Sequence, residues 1–324
     1  MKQIFSISAL ALSLLSQGAN AFGKSPSINK VVYGVDNRLE LRHTPYSYLR
    51  NSVAGLASRS VLKESEDKEL LEVLYYGDLT SYRGRTTCDD FKFREQATLP
   101  TCTGFLVEED ILVTAGHCVL NYGNKVQDKM NYQCFNARWV FGYEDNSESK
   151  DGINFPKDDV YGCSQIIDAS YTTEADYAVI KLDRKTVGKQ ALTLSSEVSD
   201  YKAGTQIFVV GHPTGLPLKL AAGAKVVHNM HPNNFITNLD TFGGNSGSPI
   251  FNFYGEAIGI LVSGETDYYF DKERECITPN KCDAVDGTCN VTMRGKASGE
   301  TGTKIHLVTK ALKAYKERTA AKAQ

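Results

Sequence analysis

The sequence predicts an all-β protein, a barrel or a sandwich, that ends in one α-helix. From residue 103 onward, short apolar runs are separated by turn residues such as glycine, asparagine and proline, which is the pattern of antiparallel strands. Helical spacing is nearly absent before the C-terminal tail. Many short strands with glycine-rich turns are typical of a barrel or a sandwich.

The predicted strands follow from apolar runs with turn residues at their ends. They cover residues 104–107, 111–115, 138–142, 177–182, 206–211, 220–227, 235–239, 249–252, 257–262 and 305–308.

Two further segments are predicted from their patterns. In the tail, Val308, Ala311, Leu312 and Tyr315 recur at the spacing of one helix face, so we expect a helix over residues 309–324. Residues 64–74 are charged and compatible with a helix, and we expect an exposed insertion there.

Composition limits the classes of function. A chain of 324 residues with 41% apolar and 23% charged residues is long enough for one or two folded domains. The formal net charge of −2 argues against a dedicated nucleic-acid binder, which normally carries a basic face. We therefore expect no nucleic-acid partner, and no sequence feature indicates a cofactor.

The N-terminus has the features of an export signal over residues 1–21. Lys2 precedes an apolar run over residues 4–15, and Ala19 and Ala21 supply the small-x-small pattern of a signal-peptidase site. The run is too short to span a bilayer comfortably. We expect a secreted or periplasmic protein without a membrane segment in its mature form, and a short propeptide over residues 22–30.

An even number of cysteines in an exported chain favours disulfide bonds. A zinc site is the alternative for the last three cysteines, but their spacing is too loose for the usual ligand pairs and no histidine is near. The acidic loop 144–151 lacks the regular ligand spacing of a calcium loop, so no metal site is predicted. The cysteines are Cys88, Cys102, Cys118, Cys134, Cys163, Cys276, Cys282 and Cys289.

Three residues at the ends of predicted strands form a candidate catalytic set. A serine hydroxyl becomes a nucleophile when an imidazole takes its proton and a carboxylate orients the imidazole. Ser246 lies in the glycine-rich stretch DTFGGNSGSPIF, His117 follows a strand in TAGHC, and Asp176 begins the apolar strand DYAVIKL. Each fragment alone is a modest signal, but the ordered combination is specific.

These three motifs resemble those of the chymotrypsin/trypsin-like serine endopeptidases, and GNSGSP is most similar to the bacterial, glutamyl-endopeptidase-like branch. VVYGVDNRLEL is similar to the mature N-terminal strand of that branch, which supports cleavage before Val31. The similarity covers residues 102–264, whereas 52–87 and 265–303 have the character of insertions.

The resemblance implies a chymotrypsin-like fold of two antiparallel six-stranded β-barrels with a C-terminal helix. Residues 31–190 would form the first barrel, with His117 and Asp176, and residues 191–308 the second, with Ser246. Gly244 and Ser246 would supply the backbone N–H groups of the oxyanion hole.

The resemblance also implies a disulfide between Cys102 and Cys118, and Cys134 with Cys163 is a plausible second pair. The other four cysteines allow three connectivities, which the sequence leaves open.

The specificity pocket is the least determined part of the site. Asp240, six residues before Ser246, aligns with the pocket floor and would select arginine or lysine; the alternative is that it caps a turn. Thr241 and Gly264 are further pocket positions. A glutamyl preference would use Thr241 with a histidine, but Leu261 occupies the histidine position, which weakens that alternative.

The sequence therefore predicts a monomeric serine endopeptidase that acts on protein or peptide substrates. Two other classes remain as hypotheses. A catalytically silent relative that acts as a binding or adhesion module is disfavoured because all three residues of the catalytic set are present. A periplasmic quality-control protease is disfavoured because about 60 residues after Gly264 are too few for an appended peptide-binding domain.

Overall fold

The computed structural model describes residues 32–66, 69–229, 231–282 and 299–322. The predicted signal peptide, the predicted propeptide and Val31 lie outside the described residues, so those predictions are untested. No helix within the described ranges is both long and apolar enough to cross a membrane.

The described chain consists mainly of strands. In order, these are β1 (Leu39–Glu40), β2 (Val53–Ser58), β3 (Leu62–Glu64), β4 (Leu70–Val73), β5 (Ser81–Tyr82), β6 (Arg85–Thr86), β7 (Cys102–Glu108), β8 (Ile111–Thr114), β9 (Lys125–Lys129), β10 (Ala137–Phe141), β11 (Glu148–Ser149), β12 (Gly152–Pro156), β13 (Val160–Tyr171), β14 (Asp176–Leu182), β15 (Gln206–Gly211), β16 (Lys219–His228), β17 (Asn234–Thr237), β18 (Pro249–Asn252), β19 (Ala257–Ser263), β20 (Tyr268–Asp271), β21 (Cys276–Pro279) and β22 (Glu300–Lys304).

Helices are few in the described ranges. The α-helices are α1 (Tyr132–Asn136) and α2 (His306–Lys322). The 3-10 helices are Leu41–His43, Ser47–Asn51, Arg59–Val61, Gly116–Cys118, Lys157–Asp159, Val198–Tyr201 and Pro213–Gly215.

The first barrel contains six antiparallel strands in the order β10-β2-β7-β8-β14-β13, and it closes because β10 also pairs with β13. β9 adds to the outside of β13. Its core is apolar and includes Leu106, Trp139, Tyr161 and Ile180, all almost fully buried. Closure leaves no free strand edge within these six strands.

The second barrel has the order β16-β15-β18-β19-β22-β17 and closes through a β16–β17 pairing. Phe235, Ile250 and Ile258 are among the side chains that fill it. β1, from the N-terminal segment, pairs with the outer edge of β16. The two closed six-stranded antiparallel barrels confirm the predicted fold class.

Helix α2 confirms the predicted tail helix, although its start differs from the prediction. Val308, Ala311 and Leu312 are buried. The predicted strand over residues 305–308 is wrong, because the last barrel strand is β22 and the helix begins at His306. The apolar residues at 305 and 308 belong to the helical spacing that continues along the tail, so a short run alone did not distinguish the two structures.

The helical interpretation of residues 64–74 is also wrong. The segment contributes to β3 and β4, and β4 pairs with both β3 and β12. Leu71 and Val73 pack against a buried cluster that includes Phe155. The strand partner and this cluster are distant in sequence, so tertiary contacts overrode a charged pattern that is compatible with a helix.

Both predicted insertions are too long, because 52–87 includes the barrel strand β2 and 265–303 includes most of the barrel strand β22. Residues 77–98 and 265–282, which lie outside the barrels, meet in one layer, which we call the insertion layer. The Cys88–Cys276 disulfide joins its two segments, and Cys88 N–H donates to the carbonyl of Ile277. Together with the N-terminal segment, the layer buries one apolar cluster, formed by Val32, Leu79, Phe91, Leu216, Phe242, Tyr268 and Ile277.

Candidate active site

The candidate histidine lies at the end of a buried first-barrel strand. β8 is followed by the 3-10 turn Gly116–Cys118, and the His117 side chain keeps 24% exposure. Gly116 is required at this turn, because a Cβ there would overlap the Ser170 carbonyl and lie 3.0 Å from Asp176 Oδ1. The turn therefore brings His117 to the surface while its backbone stays packed against the neighbouring strands.

Asp176 holds His117 through both carboxylate oxygens. Oδ2 lies 2.8 Å from His117 Nδ1, and Oδ1 accepts the backbone N–H of His117 at 3.0 Å. An ionised carboxylate only accepts hydrogen bonds, so Nδ1 carries the proton. In the neutral imidazole, Nε2 is then the basic nitrogen.

Ser246 comes from the second barrel and lies against the histidine turn. Its carbonyl accepts the backbone N–H of Thr103 at 2.7 Å and lies 3.7 Å from Cys118 Sγ, beside His117. Gly247, with φ of +90°, allows this approach, because a Cβ would lie 2.9 Å from Ala115 N and overlap closer atoms. The Ser246 hydroxyl makes no hydrogen bond to any described residue; catalytic hydrogen bonds are often loose without substrate.

The two predicted oxyanion donors lack acceptors. Neither the Gly244 N–H nor the Ser246 N–H has an acceptor in the part of the chain that the structure describes. Backbone N–H groups without an intramolecular acceptor can donate to an anionic oxygen. Gly244 has φ of +91°, and a Cβ there would lie 2.9 Å from Gly215 N. A side chain is therefore excluded by both conformation and space.

Asn245 lies between these donors, is buried, and makes neutral hydrogen bonds through its side chain and its backbone. Its Oδ1 accepts the Ser248 hydroxyl at 3.4 Å, and its N–H donates to the carbonyl of Phe242 at 3.0 Å. The turn before Ser246 is thus held by neutral hydrogen bonds rather than by an ion pair.

Beside Ser246 is a small cavity of about 110 Å³. It includes the predicted pocket residues Thr241 and Gly264, together with Leu261. The lining is Thr241, Phe242, Gly243, Ser246, Leu261, Val262, Ser263, Gly264, Glu265, Asp267 and Glu300.

Asp240 does not line this cavity. Its side chain is 3% exposed and accepts the backbone N–H groups of Tyr33 and Asn37, the latter at 3.3 Å. The carboxylate therefore fixes the N-terminal segment against the second barrel. This arrangement is closer to the turn-capping alternative than to a pocket floor.

Glu300 is a carboxylate in the cavity that the sequence did not reveal. It is 3% exposed, and its side chain accepts the Thr241 hydroxyl and, at 3.3 Å, the N–H of Glu265. A Cβ on Gly264 would overlap this carboxyl group. Its position depends on the pairing of β19 with β22, and no local motif surrounds it.

His212 lies behind the Gly244 turn rather than in the cavity. It is fully buried, its Nδ1 donates to the carbonyl of Leu216 at 2.9 Å, and Tyr143 stacks on the ring. Burial lowers the pKa of His212 to about 3, so the ring is neutral. His228 and His231, like His212, were given no ligand role by the sequence.

The disulfides agree with both predicted pairs. Cys102 bonds to Cys118 and Cys134 to Cys163, and Cys88–Cys276 resolves part of the remaining connectivity. Cys282 is also disulfide-bonded, and Cys289 lies outside the described residues.

One group of potential metal ligands occurs in the described residues, namely Cys102, His117 and Cys118. Both sulfurs belong to the same disulfide, and metal coordination by cysteine requires a thiolate. The group is therefore explained by the disulfide beside the histidine.

The two closed barrels, with a histidine turn from one beside a glycine-rich serine turn from the other, define the class of chymotrypsin-like folds. Residues 102–260 match the trypsin-like peptidase domain. This segment belongs to the chymotrypsin/trypsin-like family of serine proteases.

Similarity to individual proteins is lower. An extracellular metalloprotease of Bacillus subtilis (strain 168) is 26% identical over 213 residues, which cover 58% of this chain and 59% of that protein. The chain thus matches less than two thirds of this curated relative.

Solved structures with a similar fold include a Glu endopeptidase in complex with MPD, 20% identical, with a TM-score of 0.43 and coverage of 90% of this chain and 99% of that chain. A protease from M. tuberculosis in its active form is 13% identical, with a TM-score of 0.42 and coverage of 82% and 81%.

Proposed function

We propose that the chain is an exported serine endopeptidase in which His117, Asp176 and Ser246 form the catalytic triad. The observation that carries the proposal is the double hydrogen bond from His117 to Asp176, 2.8 Å at the ring and 3.0 Å at the backbone, on the turn against which Ser246 packs. This arrangement leaves Nε2 as the base on the side of the cleft.

In the proposed reaction, Ser246 Oγ attacks the carbonyl carbon of the scissile bond while His117 Nε2 takes the hydroxyl proton. The carbonyl oxygen becomes an oxyanion, which accepts hydrogen bonds from the N–H groups of Gly244 and Ser246. His117 then gives its proton to the leaving amine as the C–N bond breaks, and an acyl-enzyme forms. Water, deprotonated by His117, releases the acid and restores the serine.

Asp176 contributes in two ways. It fixes the tautomer of His117, and its negative charge stabilises the imidazolium that forms when the proton is transferred. The hydrogen bond from the His117 backbone N–H also orients the whole turn. The ring itself cannot rotate away without leaving a partly buried carboxylate short of a partner.

Export is supported by the disulfide content. Disulfide bonds form and persist in oxidising compartments, and all seven cysteines within the described residues are disulfide-bonded. The predicted N-terminal signal is consistent with this location, and sequencing the N-terminus of the exported protein tests it; we expect Phe22 or Val31 as the first residue.

A fluorophosphonate probe tests the catalytic proposal. We expect the mature wild-type protein to be labelled, the Ser246→Ala variant to remain unlabelled, and the His117→Ala variant to label far more slowly. A folded wild-type protein that neither reacts with the probe nor hydrolyses peptides would support the silent-relative hypothesis instead.

For specificity, we propose a preference for arginine or lysine before the scissile bond, with Glu300 rather than Asp240 as the selecting carboxylate. Glu265, Asp267 and Glu300 line the cavity, and none of its described lining residues is basic. A basic side chain gains from these charges in a partly dry pocket, whereas a glutamate would be repelled. The buried Leu261, in place of a histidine, also disfavours glutamate.

Peptides that differ only in Arg, Lys, Glu or Phe before the scissile bond test this preference. We expect wild type to favour Arg or Lys, and Glu300→Gln to reduce that preference by about tenfold or more, because a lost charge pair of about 1.4 kcal/mol already costs tenfold. Asp240→Asn is the comparison variant and should leave the ratio of rates near wild type. A change confined to Asp240→Asn, or a wild-type preference for Glu, would contradict the assignment.

A further inference from the structure

Two successive peptides at Gly243 are held by hydrogen bonds, the Gly243–Gly244 peptide through its carbonyl and the Phe242–Gly243 peptide through its N–H. The Gly243 carbonyl accepts the backbone N–H of Thr214, and the Gly243 N–H donates to Asp267 Oδ2 at 2.8 Å. The carbonyl and the N–H of a trans peptide point in opposite directions. Fixing the Gly243 carbonyl on Thr214 therefore directs the Gly244 N–H away from Thr214.

The donor in this arrangement, Thr214, has an unusual conformation. Its φ of +54° is in the left-handed region, which costs free energy for a residue with a branched Cβ. Its hydroxyl shares a hydrogen bond with the hydroxyl of Tyr268. The side-chain bond thus fixes a residue whose backbone N–H must keep one orientation.

Tyr268 is well placed to be a rigid support. Its ring stacks on Phe242 at 5.3 Å and packs edge-on against Tyr82 at 4.8 Å. Burial raises the pKa of Tyr268 above its ordinary value, so the phenol keeps its proton. Asp267 and Tyr268 are adjacent residues in the second segment of the insertion layer, which Cys88–Cys276 joins to the first segment.

We propose that the insertion layer positions the oxyanion hole: Tyr268 fixes Thr214 and Asp267 fixes the Gly243 N–H, so that the Gly244 N–H is aimed at the substrate. This inference rests on the proposed peptidase function. Tyr268 and Asp267 are positioning residues, because they act through Thr214 and Gly243. The insertion layer lies outside the segment matched to the family, residues 102–260. Thr214, Gly243 and Gly244, which the layer is proposed to position, lie inside that segment.

The orientation of the Gly243–Gly244 peptide affects stabilisation of the transition state more than it affects the binding of substrate. The oxyanion forms only after Ser246 attacks, so a donor aimed at it contributes chiefly to kcat. Losing one such donor typically lowers kcat by about 10²–10³. Loosening its support, rather than deleting it, should cost about tenfold in kcat with little change in KM.

The test compares variants that remove or keep the hydroxyl pair. Tyr268→Phe retains the ring and its stacking, and Thr214→Val retains the branched side chain, yet each abolishes the same hydrogen bond. We expect each to lower kcat by about tenfold and to weaken a peptide boronate, which mimics the oxyanion, by a similar factor. Thr214→Ser keeps the hydroxyl and should retain most of the wild-type kcat.

A double-mutant cycle separates this role from general loosening. Because both substitutions remove one shared bond, Tyr268→Phe with Thr214→Val should lose no more than either alone. Additive losses, an effect on KM without one on kcat, or an unchanged kcat in Tyr268→Phe would overturn the proposal.

A conformational measurement keeps the test independent of the proposed function. Crystal structures of wild type and Tyr268→Phe should differ in the Gly243–Gly244 peptide, with the Thr214–Gly243 hydrogen bond lost or lengthened in the variant. An identical peptide in both structures contradicts the positioning role, whether or not the protein is an enzyme. Absence of probe labelling in wild type would instead contradict the proposed function alone.

Discussion

The histidine turn and the small cavity both border Ser246, yet they are built differently. The histidine turn uses consecutive residues of the first barrel and one carboxylate, Asp176, from the neighbouring strand β14. The cavity instead combines the serine turn, the strand β19, Glu300 from β22 and residues of the insertion layer.

This difference indicates that the cavity tolerates more sequence variation than the histidine turn does. A proton-transfer pair requires fixed distances, so it belongs on barrel strands whose register is set by closure. A cavity for a side chain requires shape and charge, which several distant segments can supply together. The predictions below test this division, from the largest expected effect to the smallest.

Asp176→Asn should lower kcat by about 10⁴, because the amide keeps the shape of the carboxylate but favours the wrong tautomer of His117. Steady-state hydrolysis of a peptide substrate measures the effect. Asp168→Asn is a control in the same barrel; Asp168 accepts the Tyr177 hydroxyl at 2.9 Å and should be dispensable for kcat. Similar losses in both variants would show that the histidine side responds to general disturbance of the barrel.

Removal of one disulfide at a time compares the insertion layer with the first barrel directly. Replacing either Cys88 and Cys276 or Cys134 and Cys163 by serine should lower the free energy of unfolding by about 3–5 kcal/mol. Only loss of Cys88–Cys276 should also reduce kcat and the preference for basic residues, because that disulfide joins the layer beside the cavity. Urea denaturation and peptide hydrolysis by the folded protein measure the two effects.

Equal catalytic losses after removal of either disulfide would break the comparison. Undisturbed activity after loss of Cys88–Cys276 would show that the insertion layer keeps its shape through its apolar cluster alone.

Adjacent glycines provide a finer contrast. Gly244→Ala should lower kcat by about 10²–10³, because φ of +91° and the overlap with the turn at Gly215 displace the oxyanion donor. Gly243→Ala should have a much smaller effect, since its Cβ would meet only Asp267 Oδ2 at 3.0 Å, and a side chain can shift. Comparison of kcat values for the two variants tests this ranking, and a reversed ranking would contradict the assigned donor.

The smallest expected effect concerns pH. Burial lowers the pKa of His212 to about 3 in the folded protein, whereas an unfolded histidine titrates near 6.5. Between these values the unfolded chain binds the additional proton, so stability falls as pH decreases through this window, by at most about 1.4 kcal/mol per pH unit.

His212→Asn retains an N–H donor for the Leu216 carbonyl but has no titrating ring. We expect its unfolding free energy to depend less steeply on pH between about 6.5 and 3 than that of wild type. Urea titrations at several pH values measure both slopes. Parallel slopes would mean that His212 is not the buried titrating group.

How far the sequence predicts this protein depends on the range of the interactions involved. The motifs around His117, Asp176 and Ser246 are local, and each coincides with a strand end in the structure. The strands 206–211 and 249–252 were predicted with their observed bounds because turn residues mark both ends. The C-terminal helical face is equally local.

The failures share one cause. Residues 64–74 have a charged pattern compatible with a helix but pair as strands, because β12 and an apolar cluster are available in the folded chain. Glu300 has no motif around it and enters the cavity only through the register of β22 against β19. The sequence left open whether Asp240 forms a pocket floor or caps a turn, because the N-terminal segment whose N–H groups its carboxylate accepts is distant in sequence.

The sequence by itself determined the all-β class, the three strand-end motifs and the tail helix, since local periodicity and turn chemistry encode these features. Only the tertiary structure decided which carboxylate enters the cavity, which cysteines join the insertions and what holds the Gly243–Gly244 peptide. These features depend on contacts between residues that are far apart in the chain, and such contacts form only in the folded protein.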